Sequence, residues 1–342
     1  MGGDHAPAVV VAGAVAEAQE RGTSIILVGI EDQIRAELAR HRGAEYLPIE
    51  VVHAPNVVDM ADHMLAVKAK RDSSMMVAMR LVKEGKASAF ASAGNSGAVM
   101  AVALFGLGRI PGVERPGIGS IYPASPEPCL IIDIGANADC KPEYLAQFAL
   151  MGVAYAERIF RLQNPKVGII SNGEEADKGS MLIRETYPLL QASRLNFVGN
   201  VEGKDLGRGL ANVIVTDGFT GNVVVKLTEG ILSFLGRTLK DEFTRGGWNK
   251  LGLLLLAPSL ILAIPGLLVL SPTIRALRSR VDWREIGGAP LLGVNGVVVI
   301  GHGRSDEKAI KYMIRMAEMS VQQGLIEAIK AGLEGYGVKE TV

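Results

Sequence analysis

Residues 129–142 read Cys129-Leu130-Ile131-Ile132-Asp133-Ile134-Gly135-Ala136-Asn137-Ala138-Asp139-Cys140-Lys141-Pro142. The apolar run from Cys129 to Ile134 carries β-branched residues and no polar alternation, the pattern of a strand buried on both faces. Small and polar residues follow it as a tight turn. Pro142 then opens a helical stretch to Leu162, at the first helical position, where a proline gives up no hydrogen bond. Strand, glycine turn and helix in that order decide for an α/β protein.

The same unit recurs outward from this stretch. Short apolar runs lie at Ser24 to Gly29, Ala87 to Ser92, Lys166 to Ser171, Asn212 to Thr216 and Gly296 to Ile300. Helical patterns lie at Ala8 to Arg21, Ser74 to Glu84, Thr220 to Phe243 and Ser305 to Ala331. The expected fold is an αβα sandwich with a mostly parallel sheet, one large catalytic unit spanning residues 1–342. Ligands of such sheets sit beyond the carboxyl ends of the strands, so the strand-to-helix turns are where chemistry is sought. Gly2-Gly3-Asp4, with Pro7 near the first helical turn, has the form of one of these turns but has no strand ahead of it in the sequence.

Composition narrows the function. The 36 Lys and Arg residues balance 36 Asp and Glu, which argues against a general nucleic-acid binder. Aromatic residues make up 5% of the 342, too few for a base-stacking platform. Hydrophobic residues at 48% exclude intrinsic disorder. Two cysteines, Cys129 and Cys140, make no disulfide framework and fit a reducing cytoplasm. Five histidines without paired spacing give no metal signature, and neither metal nor cofactor is expected.

Leu251 to Leu270, LGLLLLAPSLILAIPGLLVL, has no charge and is apolar all round. Its length suits a membrane span, but Pro258 and Pro265 favour a helical hairpin dipping into one leaflet, inserted at residues 246–284. Leu255, Ile261 and Leu268 are its expected membrane-docking residues. Arg275, Arg278, Arg280 and Arg284 follow. They suit an anionic membrane surface and equally suit a solvated helix face paired with Asp282 and Glu285.

Five turns carry polar groups suited to an anion or a carbonyl. Ser92-Ala93-Gly94-Asn95-Ser96-Gly97-Ala98 opens a helix, where backbone N–H groups and the helix dipole favour an anion. It is neither a Walker A sequence nor GxGxxG. Asp133 sits at the strand end, placed to tie down a neighbouring turn, Asn137 and Lys141 offer donors, and Asp139 is placed to cap the helix at Pro142. Lys178, in Asn172-Gly173-Glu174-Glu175-Ala176-Asp177-Lys178-Gly179, is read as opening a further helix. Asp217, Thr220 and Asn222 converge after the strand at Asn212 to Val215. His302 and Arg304 follow the last strand, His302 being either an anion contact or a satisfied buried side chain. No histidine neighbours Cys140 in sequence, so it is not read as a nucleophile.

Together MGGDHAP, SAGNSGA, DIGANADCKPE, NGEEADKG, DGFTGN and GAPLLGVNGVVVIGHGRSD resemble, in order and over nearly the whole chain, the PlsX-type phosphate acyltransferases. The resemblance implies a fold related to phosphotransacetylases and isocitrate-type dehydrogenases. It implies transfer of a fatty acyl group from acyl carrier protein to inorganic phosphate, giving acyl phosphate for bacterial phospholipid synthesis. It also implies a homodimer docked on the cytoplasmic face of the membrane, with a glycerol-3-phosphate acyltransferase consuming the product.

For that chemistry Gly94, Asn95, Ser96 and Gly97 are the expected phosphate cradle. Lys178 would hold phosphate or the oxyanion. Asn222 would donate to the carbonyl oxygen with Asn137 in support, Asp217 would orient these donors, and His302 and Arg304 would be secondary anion contacts. An acidic carrier protein would meet a basic surface, either Lys68, Lys70, Arg71, Lys83 and Lys86 or Arg237, Lys240 and Arg245. Two other readings compete: a phosphotransacetylase acting on acyl-coenzyme A, which has no need of an apolar hairpin, and a non-catalytic scaffold recruited to the membrane.

Overall fold

The computed structural model describes residues 1–60, 62, 69–124, 126–246, 249, 255–256, 259, 263–273 and 282–334. The chain divides into two compact units, residues 1–222 with 283–342, and residues 223–282.

The larger unit holds two sheets. β1 (Ile25–Gly29) and β2 (Ile49–His53) form a parallel pair. The second sheet runs β3-β10-β9-β4-β5-β8-β6-β7, with β3 at Ala89–Ser92, β4 at Gly117–Tyr122, β5 at Cys129–Ile132 and β6 at Lys166–Ile170. β7 is Asn196–Val201, β8 Val213–Val215, β9 Ala289–Leu292 and β10 Val297–Ile300. Its flanks, β3-β10 and β5-β8-β6-β7, are parallel. Its middle, β10-β9-β4-β5, is antiparallel. The sheet is therefore mostly parallel as expected, with a central antiparallel stretch that the sequence pattern did not reveal.

The principal helices among the described residues are α1 (Ala8–Arg21), α2 (Glu31–Leu38), α3 (Ser74–Lys83), α4 (Ser96–Gly106), α5 (Pro142–Arg158), α6 (Met181–Gln191), α7 (Gly218–Thr244), α8 (Glu307–Gln322) and α9 (Leu325–Glu334). The single helix expected over Ser305 to Ala331 is two. Gly324, at φ +61°, takes the left-handed conformation that glycine adopts without strain and ends α8. The largest core cluster lies around α5, whose Leu145, Phe148, Met151 and Tyr155 are fully buried against β5, β6 and β8. α1 and α8 are joined by Arg315, which donates two hydrogen bonds to the buried Glu17 at 3.1 and 2.7 Å.

The smaller unit begins within α7. Val223, Leu227, Ile231, Phe234 and Leu235 lie one helical turn apart and are exposed. Residues 263–273 are helical, and Leu255 and Leu268 are 70% and 67% exposed. Ile261, Arg275, Arg278 and Arg280 lie outside the described residues. Among those described, no helix is long and apolar enough to cross a membrane.

Candidate active site

Asp133 anchors the turn after β5. Its carboxylate is fully buried and accepts five hydrogen bonds. Oδ1 takes the N–H groups of Ile118, Gly135 and Ala136 at 3.1, 3.0 and 3.0 Å. Oδ2 takes the backbone N–H and the side-chain amide of Asn137 at 2.7 and 2.9 Å. As the sequence suggested, Asp133 ties down a turn, here the one that follows it, together with Ile118 of β4. Asn137 also donates to the Pro116 carbonyl at 2.8 Å, so both hydrogens of its amide are used within the fold. It holds the turn against β4 and has no amide hydrogen left for a substrate.

The turn after β8 is fastened to the same loop. The Gly218 N–H donates to the Asn137 carbonyl at 2.7 Å. Gly221 lies so close to the Asp133 backbone that a β-carbon there would overlap its carbonyl oxygen. Asp217 caps α7, accepting from the Thr220 N–H and hydroxyl, each at 2.8 Å. Its carboxylate is engaged in the cap rather than in orienting Asn222. Asn222 sits in the first turns of α7, exposed, and its amide makes no hydrogen bond among the described residues.

A second group of turns meets at the β3-β10 flank. Asn95 caps α4, accepting from the Ala98 N–H at 3.0 Å, and its amide donates to the Met60 carbonyl at 2.8 Å. The Ser96 and Gly97 N–H groups have no acceptor among the described residues, and both residues are exposed. They are the orphan first-turn donors of a helix, the usual seat of an anion. Gly94 is buried, and a β-carbon on Gly2 would meet its Cα at 3.3 Å. Gly3, at φ +101°, packs between the carbonyls of Ala93 and Gly303. The Gly301 N–H donates to the Ser92 carbonyl at 2.8 Å, which sets the His302 loop beside the α4 turn. His302 is half-buried, and its Nδ1 accepts from the Arg304 N–H at 3.2 Å. In the neutral imidazole that places the proton on Nε2. The Arg304 side chain is exposed.

The two groups share one apolar floor. Ile134 and Ala136 of the Asp133 turn pack against the cluster that contains Ala98 and Val99 of the first turns of α4. Lys178 is on neither group of turns. It precedes α6 by three residues, because the helix begins at Met181 with Ser180 as its cap. The expectation that Lys178 opens a helix is corrected accordingly: its N–H closes a turn on the Glu175 carbonyl at 3.1 Å, and its side chain is exposed.

Both thiols are held in the protonated form. Burial in β5 pushes the Cys129 thiol up to about 12. Burial, and then the charge of Asp133, push the half-buried Cys140 thiol up to about 12 as well. Glu174, Glu202 and Asp205 bring carboxylate oxygens within 4.8 Å of one another. Lys204 pairs with Glu202 and Glu174, and Arg208 with Asp205.

The family model described as "Fatty acid synthesis protein" matches residues 1–328. A phosphate acyltransferase of Pelotomaculum thermopropionicum is 45% identical over 340 residues, 99% of this chain and 95% of the relative. One from Dictyoglomus turgidum is 47% identical over 338 residues, 98% of this chain and 95% of the relative. Among solved structures, a phosphotransacetylase from Streptococcus pyogenes superposes with a TM-score of 0.56 at 17% identity, covering 92% of this chain and 91% of its own. A branched-chain phosphotransacylase from Enterococcus faecalis gives 0.54 at 14%, covering 94% and 96%. At these identities the structures establish the shared fold.

Proposed function

Because the chain belongs to the fatty acid synthesis family whose curated relatives are phosphate acyltransferases, we propose that it transfers a fatty acyl group from acyl-acyl carrier protein to inorganic phosphate by direct attack of phosphate on the thioester. The observation that carries the site is the α4 N-terminus. There Asn95 caps one N–H while those of Ser96 and Gly97 stay open beside a turn of small residues.

Phosphate seats on the Ser96 and Gly97 N–H groups, with Gly94 allowing close approach and Asn95 fixing the turn. Arg304 and Lys178 offset its charge, with His302 as a neighbouring polar contact. A phosphate oxygen adds to the thioester carbon, and Asn222 donates to the oxygen that becomes the oxyanion. The C–S bond then breaks, its electron pair leaves on sulfur, and the thiolate takes a proton from solvent. Acyl phosphate and free thiol are the products. A thiol pKa of about 8.5 makes sulfur a leaving group that needs no general acid. Asn137 and Asp217 act as positioning residues through the Asp133 turn and the α7 cap.

The exposed apolar residues of the 223–282 unit support membrane docking through Leu255, Leu268 and their neighbours. Of the basic clusters, Lys70 and Lys86 are paired with Asp62 and Glu84, and Lys68 lies outside the described residues. Arg71 and Lys83 of that cluster are exposed, as are Arg237 and Lys240 of α7, while Arg245 pairs with Glu242; either surface suits an acidic carrier protein. Product made at a membrane surface has a short path to a glycerol-3-phosphate acyltransferase. The test offers phosphate with either acyl-acyl carrier protein or acyl-coenzyme A and follows thiol release. Preference for the carrier protein supports the proposal, and equal or better use of coenzyme A makes the enzyme a phosphotransacetylase.

A further inference from the structure

Residues 172–175 and 202–205 follow the carboxyl ends of the neighbouring parallel strands β6 and β7, the side of a parallel sheet where ligands bind. Glu174, Glu202 and Asp205 each bring one carboxylate oxygen within 4.8 Å of the others. Two buried oxygens set this cluster apart from ordinary surface acids. Asp205 is 2% exposed; its Oδ1 accepts from Arg208 at 2.7 Å, but its Oδ2 is buried with no hydrogen-bond partner. Asn200 is 8% exposed; its amide nitrogen donates to the Glu175 carbonyl at 2.6 Å, and its Oδ1 is likewise buried without a partner. Asn200 and Glu202 stand two residues apart in extended chain, so both side chains leave the same face. The bond to Glu175 turns the Asn200 amide toward the loop that carries Glu174. Buried acceptors are costly to leave bare, and two of them beside three carboxylates point to a cation.

We infer that this is a site for a hard divalent cation, held by Glu174, Asn200, Glu202 and Asp205. All four offer oxygen, the ligand that Ca²⁺ takes at about 2.3–2.6 Å, so oxygens on opposite sides of one ion lie about 4.6–5.2 Å apart. The carboxylate spacing falls within that reach. The charge agrees. Three carboxylates face two cationic side chains, Lys204 and Arg208, which leaves one negative charge over. Lys204 pairs with Glu202 and lies 3.8 Å from Glu174, and its side chain is 60% exposed. An exposed pair of this kind is weak, so the ammonium yields its place to an arriving ion. The ion then fastens the 172–179 loop, which carries Lys178, to the end of β7. Because every ligand is an oxygen, histidine and cysteine spacing carried no sign of the site. Binding of the ion does not depend on whether Lys178 serves acyl transfer.

The test titrates Ca²⁺ into the full chain after treatment with a chelator, and follows heat, Tm and amide exchange. The expected result is one saturable ion per chain, a rise in Tm, and slower exchange across residues 172–179. Glu174→Gln alters an exposed side chain. It should weaken the ion at least about tenfold while leaving the ion-free Tm unchanged. Lys204→Met removes the competing ammonium and should tighten the ion. No saturable binding at millimolar Ca²⁺, or native affinity in Glu174→Gln, would overturn the inference.

Discussion

Asp133 Oδ2 accepts both the backbone N–H and the side-chain amide of Asn137, at 2.7 and 2.9 Å. One residue is gripped twice by one oxygen, while Oδ1 collects three further N–H groups. Asp133→Ala leaves these buried donors without an acceptor. The expected cost is at least about 3 kcal/mol of stability, read as a lowered urea midpoint. Asn137→Ala removes only the side-chain contacts and should cost about 1–2 kcal/mol. Equal midpoints for the two variants would show that the turn is held by other contacts.

Gly221→Ala tests the seam between the two turns. The added β-carbon would overlap the Asp133 carbonyl oxygen, which belongs to backbone and has no flexible end to move aside. α7 must shift, and with it Asn222. The expected outcome is a lower Tm together with lost turnover. At Gly97 a β-carbon would meet only the Asn95 Oδ1, at 3.3 Å. Gly97→Ala should therefore keep its Tm while raising KM for phosphate.

Lys178 and Asn222 are exposed, so their removal should leave the fold intact. Lys178→Ala and Asn222→Ala are each expected to lower kcat/KM at least about tenfold, or about 1.4 kcal/mol of barrier. Near-normal kinetics in both would remove them from the site.

Thiols that titrate near 12 stay protonated at neutral pH. In the native chain Cys129 and Cys140 should react with iodoacetamide at least about tenfold more slowly than after denaturation. Changing both to Ser should leave most turnover intact. An acyl-cysteine trapped during turnover would contradict this.

Leu255→Asp with Leu268→Asp should release the protein from anionic liposomes and spare turnover on soluble acyl-acyl carrier protein. Both side chains are exposed, so no core is disturbed. Continued flotation with liposomes would place the attachment elsewhere.

The sequence pattern revealed the elements whose apolar runs are unbroken. The strand after Ser24, the strand at Cys129 and the helix at Ala8 all stand where the residues placed them. β2, β4, β7 and β9 escaped because each is interrupted: Glu50 in β2, Gly117 and Gly119 in β4, Gly199 at φ +95° in β7, and Pro290 in β9. The antiparallel centre of the sheet was hidden with them. Candidate turns were legible because Gly, Asn and Asp mark strand ends. Which of their polar groups remain available was not, since it depends on partners distant in sequence. Asn137 looks like a donor until Pro116 is seen to take its amide, and Asp217 looks free until the α7 cap claims it.

A single-turnover experiment tests direct attack by phosphate most closely. Enzyme in excess is mixed with acyl-acyl carrier protein, first without phosphate and then with it, and free thiol is followed. The account predicts no thiol until phosphate is added, then thiol and acyl phosphate in equal amounts. One equivalent of thiol per acyl group without phosphate, with an acylated chain seen by mass, would contradict it.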